Sequence, residues 1–583
     1  MKKVIIYFLA IALTHTVLTG CDDFLDTQSY TTKDSNSFPV NENDANQLLV
    51  GVYGMLNTSH AEGPRSWFLI SELASDDRFG ASGRMDPGAQ AMGHLLTTNP
   101  NGLSAFWSDR YRGIARATEA IDALDIMEDG ELKNQKIGEA KFLRAHWYFE
   151  LAQAFGRIPI VTVIPQDVSQ TKDSPPQAEP EAVYRAIATD LWEAYSTMPA
   201  VQWGTANMPP DGTVTKWAAA GLLARVYLFY TGLYEKTSLP VEGGQLTEEQ
   251  IIGALNELIN DSGHDLLPDF RSLWPYTNSV TKPDYPFAQD APTWVEGSQN
   301  SETIFTIKFN GLADFGPRLG FRNPISLFFA PRSGGGTRDT RDMFPIGTGW
   351  GWGTVNSNLF LEWPDDDPRK RASIFNHEEE TNNYQFGLDN QMEDTGMWQK
   401  KVITTTAYGK GGNPDNLWNN FWSTPAYGDQ SDDNNMLRQG TDLILIRFAD
   451  ILLMHSELTK TADGINRVRH RASPSLPTVS YTEDNLRNER RWELAFEGLR
   501  WGDIRRWRIA EDVLETIYGV AINNEGTWTT MKPQGPGLKA RYQATNGFFN
   551  IPQTEIDLSK GAYTQNPGWE EGSNSFYTQW VDN

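Results

Sequence analysis

Three glutamates near the end of the chain have a spacing that could place carboxylates for chemistry. Glu489, Glu493 and Glu497 lie four residues apart, and residues four apart are neighbours on one face of a helix. A glycosidase needs two carboxyl groups that flank the bond it cleaves. Several arginines lie close by in the sequence: Arg490, Arg491, Arg500, Arg505 and Arg506. Because carboxylates on successive turns project in parallel, and charged groups in a large core must be paired, an ion-pair network is the favoured interpretation.

The apolar residues of the same stretch predict the element that positions these glutamates. Trp492, Ala495, Phe496 and Leu499 follow the i, i+3, i+4, i+7 spacing of a helix that buries one stripe. We therefore expect one helix over residues 488–507, with a structural role in the core.

Composition excludes several classes of function. The chain has 583 residues and a net charge of −25, so it repels phosphate backbones and nucleic-acid binding is not expected. It contains 20 tryptophans, which favours stacking on neutral, ring-shaped ligands. The single cysteine, Cys21, excludes intrachain disulfides and cysteine-based metal sites. The scattered histidines include no i, i+4 pair, and we expect neither a metal site nor a cofactor.

The N-terminal residues indicate an export signal. Residues 1–20 combine a short basic start with an apolar run too short to span a bilayer. Leu18-Thr19-Gly20-Cys21 resembles a bacterial lipobox, in which the signal peptide is cleaved before Cys21 and this cysteine is acylated. We expect more than one acyl chain, which would anchor the protein stably.

Helical periodicity dominates both ends of the remaining chain. Residues 43–54, 135–155, 181–195 and 214–234 carry apolar stripes at helical spacing. The last of these approximates the tetratricopeptide pattern, in which small residues let neighbouring helices nest. Helical order is expected again from residue 442 onward.

Several separated motifs resemble the SusD/RagB family of surface glycan- or peptide-binding lipoproteins. They are the stretches 22–26, 156–159, 445–454, 489–507, 549–557 and 565–568. The resemblance implies an all-α, tetratricopeptide-like helical repeat scaffold with a large loop-rich insertion that carries a few short strands. Together with the periodicity and composition along the chain, it divides the sequence into a signal peptide (1–20), a lipid anchor and tether (21–42), an N-terminal helical region (43–265), a loop-rich ligand-facing region (266–440) and a C-terminal helical region (441–583).

A glycan platform needs flat aromatic faces with polar side chains beside them, carried on loops of a rigid scaffold. Two regions of the sequence offer this mixture. Candidate ligand contacts are Trp67, Asp77, Arg78, Trp274, Tyr276, Tyr285, Trp294, Trp350 and Trp352.

The resemblance implies a protein without catalytic activity. It would sit on the outer face of the outer membrane, capture a poly- or oligosaccharide, and deliver it to a partner SusC-like, TonB-dependent transporter. The strongly negative net charge and the tryptophan content favour a neutral glycan. Two alternatives stay open: a peptide carrier of the RagB type, which would use strand edges and pockets, and a surface glycoside hydrolase.

Overall fold

The computed structural model describes residues 38–161, 174–332, 343–381, 383–408, 417–418, 436–572 and 575–577. Cys21, the predicted signal peptide and most of the predicted tether lie outside these residues.

Helices of the N-terminal part are α1 Glu42–Thr58, α2 Trp67–Leu73, α3 Pro87–Gly93, α4 Ser104–Leu124, α5 Glu131–Phe155, α6 Pro180–Thr197, α7 Lys216–Tyr234 and α8 Glu248–Asp261. Short helices follow in the middle: α9 Ile325–Phe328, α10 Ser357–Glu362, α11 Pro368–Ser373 and α12 His377–Glu380. The C-terminal helices are α13 Phe448–Thr459, α14 Asp463–Ala472, α15 Glu483–Leu494, α16 Arg500–Arg506, α17 Ala510–Val513, α18 Leu538–Thr545 and α19 Gln553–Leu558.

The N-terminal helices form an antiparallel stack in which each of α4 to α8 packs against the next. The α5 helix buries its residues on nearly every side and ends where Gly156 adopts a φ of +70°. The α7 helix begins with a cap, because the Thr215 hydroxyl accepts a hydrogen bond from the Ala218 amide. These observations confirm the all-α, tetratricopeptide-like fold class.

Strands in the described residues are short and occur in antiparallel pairs. They are β1 Ile158–Pro159, β2 Gln177–Ala178, β3 Ser238–Val241, β4 Gly244–Thr247, β5 Thr303–Ile307, β6 Ile374–Asn376, β7 Met397–Gln399, β8 Ala407–Tyr408, β9 Leu417–Trp418, β10 Leu443–Arg447, β11 Ala521–Asn524 and β12 Thr527–Thr530. The β5 strand lies in the region that was expected to be loop-rich with a few short strands, and it pairs with β10. Residues 443–447 were expected to be helical, and this expectation is wrong. The four-residue apolar run 443–446 fits a buried strand as well as a helix, and its distant partner β5 decides between them.

The expectation of one continuous helix over residues 488–507 is also wrong. The α15 helix ends at Leu494, and α16 starts at Arg500 after a tight connection. Phe496 and Gly498 in this connection have φ values of +66° and +75°. The turn points Phe496 into a second apolar cluster formed with Val355, Trp363 and others, so burial of this ring favours the break.

The predicted ion-pair network exists, but its arginines differ from the expected ones. Glu493 is bound by Arg447 at 2.6 Å, by Arg369 at 2.9 Å and by Arg471. Glu497 accepts from Arg447 at 2.6 Å and from Lys401 at 2.7 Å. We call the Glu493 network the set of carboxylates Glu302, Asp367, Glu489, Glu493 and Glu497 with the cations Arg369, Lys401, Arg447, Arg469 and Arg471.

The five charges of each sign in the Glu493 network balance one another. Burial alone would raise the pKa of the Glu493 carboxyl, but Arg471, Arg447 and Arg369 outweigh it and hold this pKa far below its ordinary value. Burial lowers the pKa of the Lys401 ammonium to about 8. Since Arg369 and Lys401 come from the loop-rich middle, the network fixes that region onto α15.

Four of the five arginines expected to pair with these glutamates, Arg490, Arg491, Arg500 and Arg506, bind other carboxylates, and Arg505 donates to the Gln153 carbonyl at 2.7 Å. Arg490 bridges Asp450 and Asp503, and Arg506 binds Glu457.

None of the helices in the described ranges is long and apolar enough to cross a membrane.

Candidate functional site

Most of the sequence-predicted ligand contacts lie in the protein interior. The side chains that are at most 9% exposed are Trp67, Asp77, Arg78, Trp274, Tyr276, Tyr285 and Trp352. Burial covers their faces, so these side chains do not form an exposed platform in this structure. Apolar rings on loops of a large protein gain more from burial than from exposure, and sequence composition does not reveal which rings escape it.

Specific partners explain this burial. The Trp67 ring packs against Phe106 with centroids 6.1 Å apart. Asp77 binds Arg491 at 2.6 Å, and Arg78 binds Glu72 at 2.6 Å. These contacts join α2 and the segment after it to α4 and α15, and the Gly498 amide of the α15–α16 connection donates to Glu72 at 2.8 Å.

The aromatic residues of the middle region form their own small core. Trp274, Tyr276 and Tyr285 pack with Phe270 under the surrounding loops. The Tyr285 hydroxyl donates to Glu380 at 2.7 Å. Their role in the structure is to support the loops.

Two predicted contacts, Trp294 and Trp350, are half-buried. The Trp350 ring meets the Phe328 ring edge-on, with centroids 4.5 Å apart. The Trp350 carbonyl accepts a hydrogen bond from Arg332 at 3.3 Å. Trp350 therefore borders a surface that Arg332 helps to build.

A more exposed tryptophan, which the sequence analysis missed, lies on the β11–β12 hairpin. The Trp528 side chain is 54% exposed, and its ring lies 4.7 Å from that of Phe386, centroid to centroid. Tyr384 also packs against Phe386, with ring centroids 4.7 Å apart. The result is a cluster of three rings in which Trp528 is exposed and the other two are half-buried.

The turn of the hairpin places Trp528 at this position. Glu525 and Gly526 have φ values of +51° and +88°, as a two-residue type I′ turn requires. The signal in the sequence was the Asn524-Glu525-Gly526 run before an exposed tryptophan, because asparagine and glycine favour such turns.

The loop of residues 79–86, which we call the Arg84 loop, lies beside the hairpin. Arg84 binds the Glu525 carboxylate at 2.8 Å. Met85, at the loop tip, is 87% exposed. Asp86 binds Arg332 at 3.0 Å, and Arg332 also reaches Asp389 at 3.3 Å.

These segments form one continuous surface. The Trp528 surface consists of Arg84, Met85, Asp86, Arg332, Phe386, Asp389, Asn390, Glu525 and Trp528. The Glu525 amide donates to the Gln391 carbonyl at 2.9 Å and joins the hairpin to the loop that carries Asp389. The charged side chains of the Trp528 surface are two arginines and three carboxylates, so the surface is close to neutral.

Backbone strain concentrates around this surface. Of the thirteen non-glycine residues with positive φ in the described ranges, six belong to it or to the adjoining loops: Ala81, Ser82, Asp389, Asn390, Glu393 and Glu525. Residues in this conformation persist only where the surroundings enforce it, and they cluster at functional sites.

The geometry suits recognition of a ring-bearing polar ligand. An aromatic face can stack on the C–H face of a sugar, while arginine donors and carboxylate acceptors at its edge bind hydroxyl groups. The carboxylates of the surface are tied to arginines, in contrast to the free pair that glycoside hydrolysis requires. A helical-repeat scaffold that carries such a surface on loops defines a binding protein.

Comparisons with known proteins identify the family. Residues 353–569 match the model described as "SusD family", and residues 23–228 match the model described as "Starch-binding associating with outer membrane". The chain belongs to the SusD-like family, as its sequence motifs indicated. A SusD-like protein P2 of Formosa agariphila is 26% identical over 542 residues, which cover 88% of this chain and 92% of that protein.

Solved structures share the fold over nearly the whole chain. A laminarin-binding SusD-like protein superposes with a TM-score of 0.66 at 24% identity and covers 91% of this chain and 100% of its own. The surface glycan-binding protein A of Bacteroides thetaiotaomicron, in complex with laminarihexaose, gives a TM-score of 0.65 at 18% identity and covers 90% of this chain and 98% of its own. The relatives are named as SusD-like and glycan-binding proteins, which agrees with the prediction of a protein that is not an enzyme.

Proposed function

We propose that this chain is a cell-surface lipoprotein that binds a neutral poly- or oligosaccharide on the Trp528 surface. The observation that carries the proposal is the exposed Trp528 ring, which packs at a tilted angle against Phe386 and is bordered by ion-paired arginines and carboxylates. Neutral polysaccharides fit this surface because its own charges nearly cancel and the whole chain is strongly acidic.

The location and partner follow from the family. Acylation of Cys21 would hold the protein at the outer face of the outer membrane, and a SusC-like, TonB-dependent transporter would receive the saccharide. Co-purification of a barrel protein of this class with the tagged, lipidated chain from outer membranes tests the partner. Failure to recover any such barrel would contradict the delivery step and leave the binding step standing.

Native affinity electrophoresis tests the binding step. The soluble chain that begins after Cys21 is run through gels with laminarin, xyloglucan or starch, and a reducing-sugar assay is run in parallel. We expect retardation by one neutral glycan without release of reducing ends. Release of reducing ends would instead support the glycoside hydrolase alternative, and absence of retardation by any glycan would favour the peptide carrier.

A pair of variants locates the site. Loss of one stacking ring costs roughly 1–3 kcal/mol, so Trp528→Ala should weaken binding by about tenfold or more. Leu558→Ala, which removes a 70% exposed apolar side chain at the end of α19, should leave binding unchanged. Equal affinity of the Trp528 variant and the unmodified chain for the retarding glycan would refute the assignment of the site.

A further inference from the structure

A buried carboxyl group, that of Glu393, lies directly beneath the Arg84 loop. The Glu393 side chain is 1% exposed. Its Oε2 atom accepts a hydrogen bond from the Ala81 amide at 2.6 Å, and the Gly80 amide donates to the same carboxyl group. Ala81 and the next residue, Ser82, have φ values of +56° and +76°. The carboxyl group thus binds the part of the loop whose backbone is least favourable.

The backbone of Glu393 also connects the other segments of the site. Its amide donates to the Asn524 side chain at 2.7 Å, and its carbonyl accepts from the Thr354 hydroxyl at 2.5 Å. Asn524 ends the strand before the turn that presents Trp528. One residue therefore contacts both the Arg84 loop and the Trp528 hairpin.

The second carboxyl oxygen faces a histidine. Glu393 Oε1 has no hydrogen-bond partner among the described residues and lies 4.0 Å from His94 Nε2. His94 is 2% exposed and follows α3. In the described ranges, His94 is the one basic group within ion-pair distance of this carboxyl group, and the neighbouring Arg78 and Arg84 are bound to Glu72 and Glu525.

We propose that Glu393 is a positioning residue that holds the Arg84 loop and the Trp528 hairpin in the shape that binds the ligand. The inference rests on the proposed function of the Trp528 surface. Burial raises the pKa of the Glu393 carboxyl to about 8 and lowers the pKa of His94 to about 4, so both groups are neutral at pH 7. The carboxylate of the next residue, Asp394, accepts a hydrogen bond from the Tyr384 hydroxyl at 2.8 Å.

The protonation state of the Glu393 carboxyl group should make ligand binding depend on pH. When Glu393 loses its proton, the charge is buried without a cation, and the loop must open to hydrate it. Opening releases Ala81 and Ser82 from their strained conformation and displaces Arg84. Binding should therefore be constant from pH 5.5 to 7 and weaken as the pH rises through about 8.

Glu393→Gln and Glu393→Ala, in the full soluble chain, test the proposal. Glutamine keeps an oxygen that can accept from Ala81 and cannot ionise, whereas alanine removes the acceptor. We expect Glu393→Ala to weaken glycan binding by about tenfold at pH 7, and Glu393→Gln to stay within about twofold of the unmodified chain. At pH 9 the unmodified chain should bind several-fold more weakly than at pH 7, while the glutamine variant should not.

Hydrogen–deuterium exchange of the peptide that covers residues 79–86 provides a readout that needs no ligand. At pH 7 the alanine variant should exchange faster in this peptide than the glutamine variant, while a peptide from α7 should exchange equally in both. Equal exchange and equal affinity of all three proteins would overturn the role of Glu393. If Trp528→Ala leaves binding unchanged while Glu393→Ala speeds exchange, the site assignment fails and the positioning role of Glu393 in the loop stands.

Discussion

Substitution of Glu493 by glutamine tests whether the Glu493 network holds the loop-rich region on the scaffold. The change keeps the shape of the side chain and removes the charge that Arg369, Arg447 and Arg471 share. Breaking a buried ion pair at one partner costs about 3–5 kcal/mol, because the remaining charges stay buried without compensation. We expect the free energy of unfolding to fall by that amount.

The size of the chain sets the expected shift in Tm. At about 2 cal/mol/K per residue, 583 residues give an unfolding entropy on the order of 1.2 kcal/mol/K. The loss therefore corresponds to a decrease in Tm of about 2–4 °C, which differential scanning calorimetry resolves.

Glu483→Gln is a matched control on the same helix. Glu483 forms an i, i+4 pair with Arg487 and its side chain is 68% exposed, so its loss should change stability by at most about 0.5 kcal/mol. Equal shifts in Tm for the two variants would refute the argument that the buried network stabilises the fold.

Three further predictions concern pH, backbone and charge. The folded-state pKa of Glu393, about 8, lies above its ordinary value of 4.5, so its stabilising contribution is fully present below pH 4.5 and is lost as the pH rises through 8. At about 1.4 kcal/mol per unit, the loss reaches roughly 5 kcal/mol, and Tm of Glu393→Gln should fall less than that of the unmodified chain between pH 5 and 9. Gly387→Ala should weaken glycan binding about tenfold, since Gly387 has a φ of +79° and a Cβ there would lie 2.3 Å from the Gly526 nitrogen; unchanged affinity would contradict the packing of the hairpin on this loop. A sulfated form of the bound glycan should bind more weakly than the neutral form at low salt, and tighter binding of the sulfated form would contradict the preference for neutral ligands.

The long helices could be predicted because their signals are local. Residues 135–155 and 214–234 carry apolar residues at helical spacing over several turns, and the structure has α5 and α7 there. The same local rule failed at residues 495–499, where the spacing fits a helix but the chain turns. The Phe496 ring gains its burial against Val355 and Trp363, which lie far away in sequence, and no local pattern shows that partner.

The partners in the ion pairs could not be predicted either, because they are distant in sequence. The sequence indicated that Glu493 needs cations, because a carboxylate in a large core must be paired. It could not indicate which cations, since Arg369 and Arg447 approach only through the tertiary fold. The nearest arginines in sequence, Arg490 and Arg491, point instead to Asp450 and Asp77.

The candidate site was the least predictable part for a related reason. Counting tryptophans identified a chain rich in rings, but exposure decides which ring can bind a ligand, and exposure depends on all neighbouring elements. Trp274 and Trp528 are equally apolar, yet the first supports a loop and the second lies open on a hairpin. Trp528 lies on the two-stranded β11–β12 hairpin, two residues after the Glu525-Gly526 turn, whereas Trp274 packs in a cluster with Phe270 and Tyr285. Because the neighbours that cover a ring are set by the tertiary fold, tryptophan content alone could not separate the two residues.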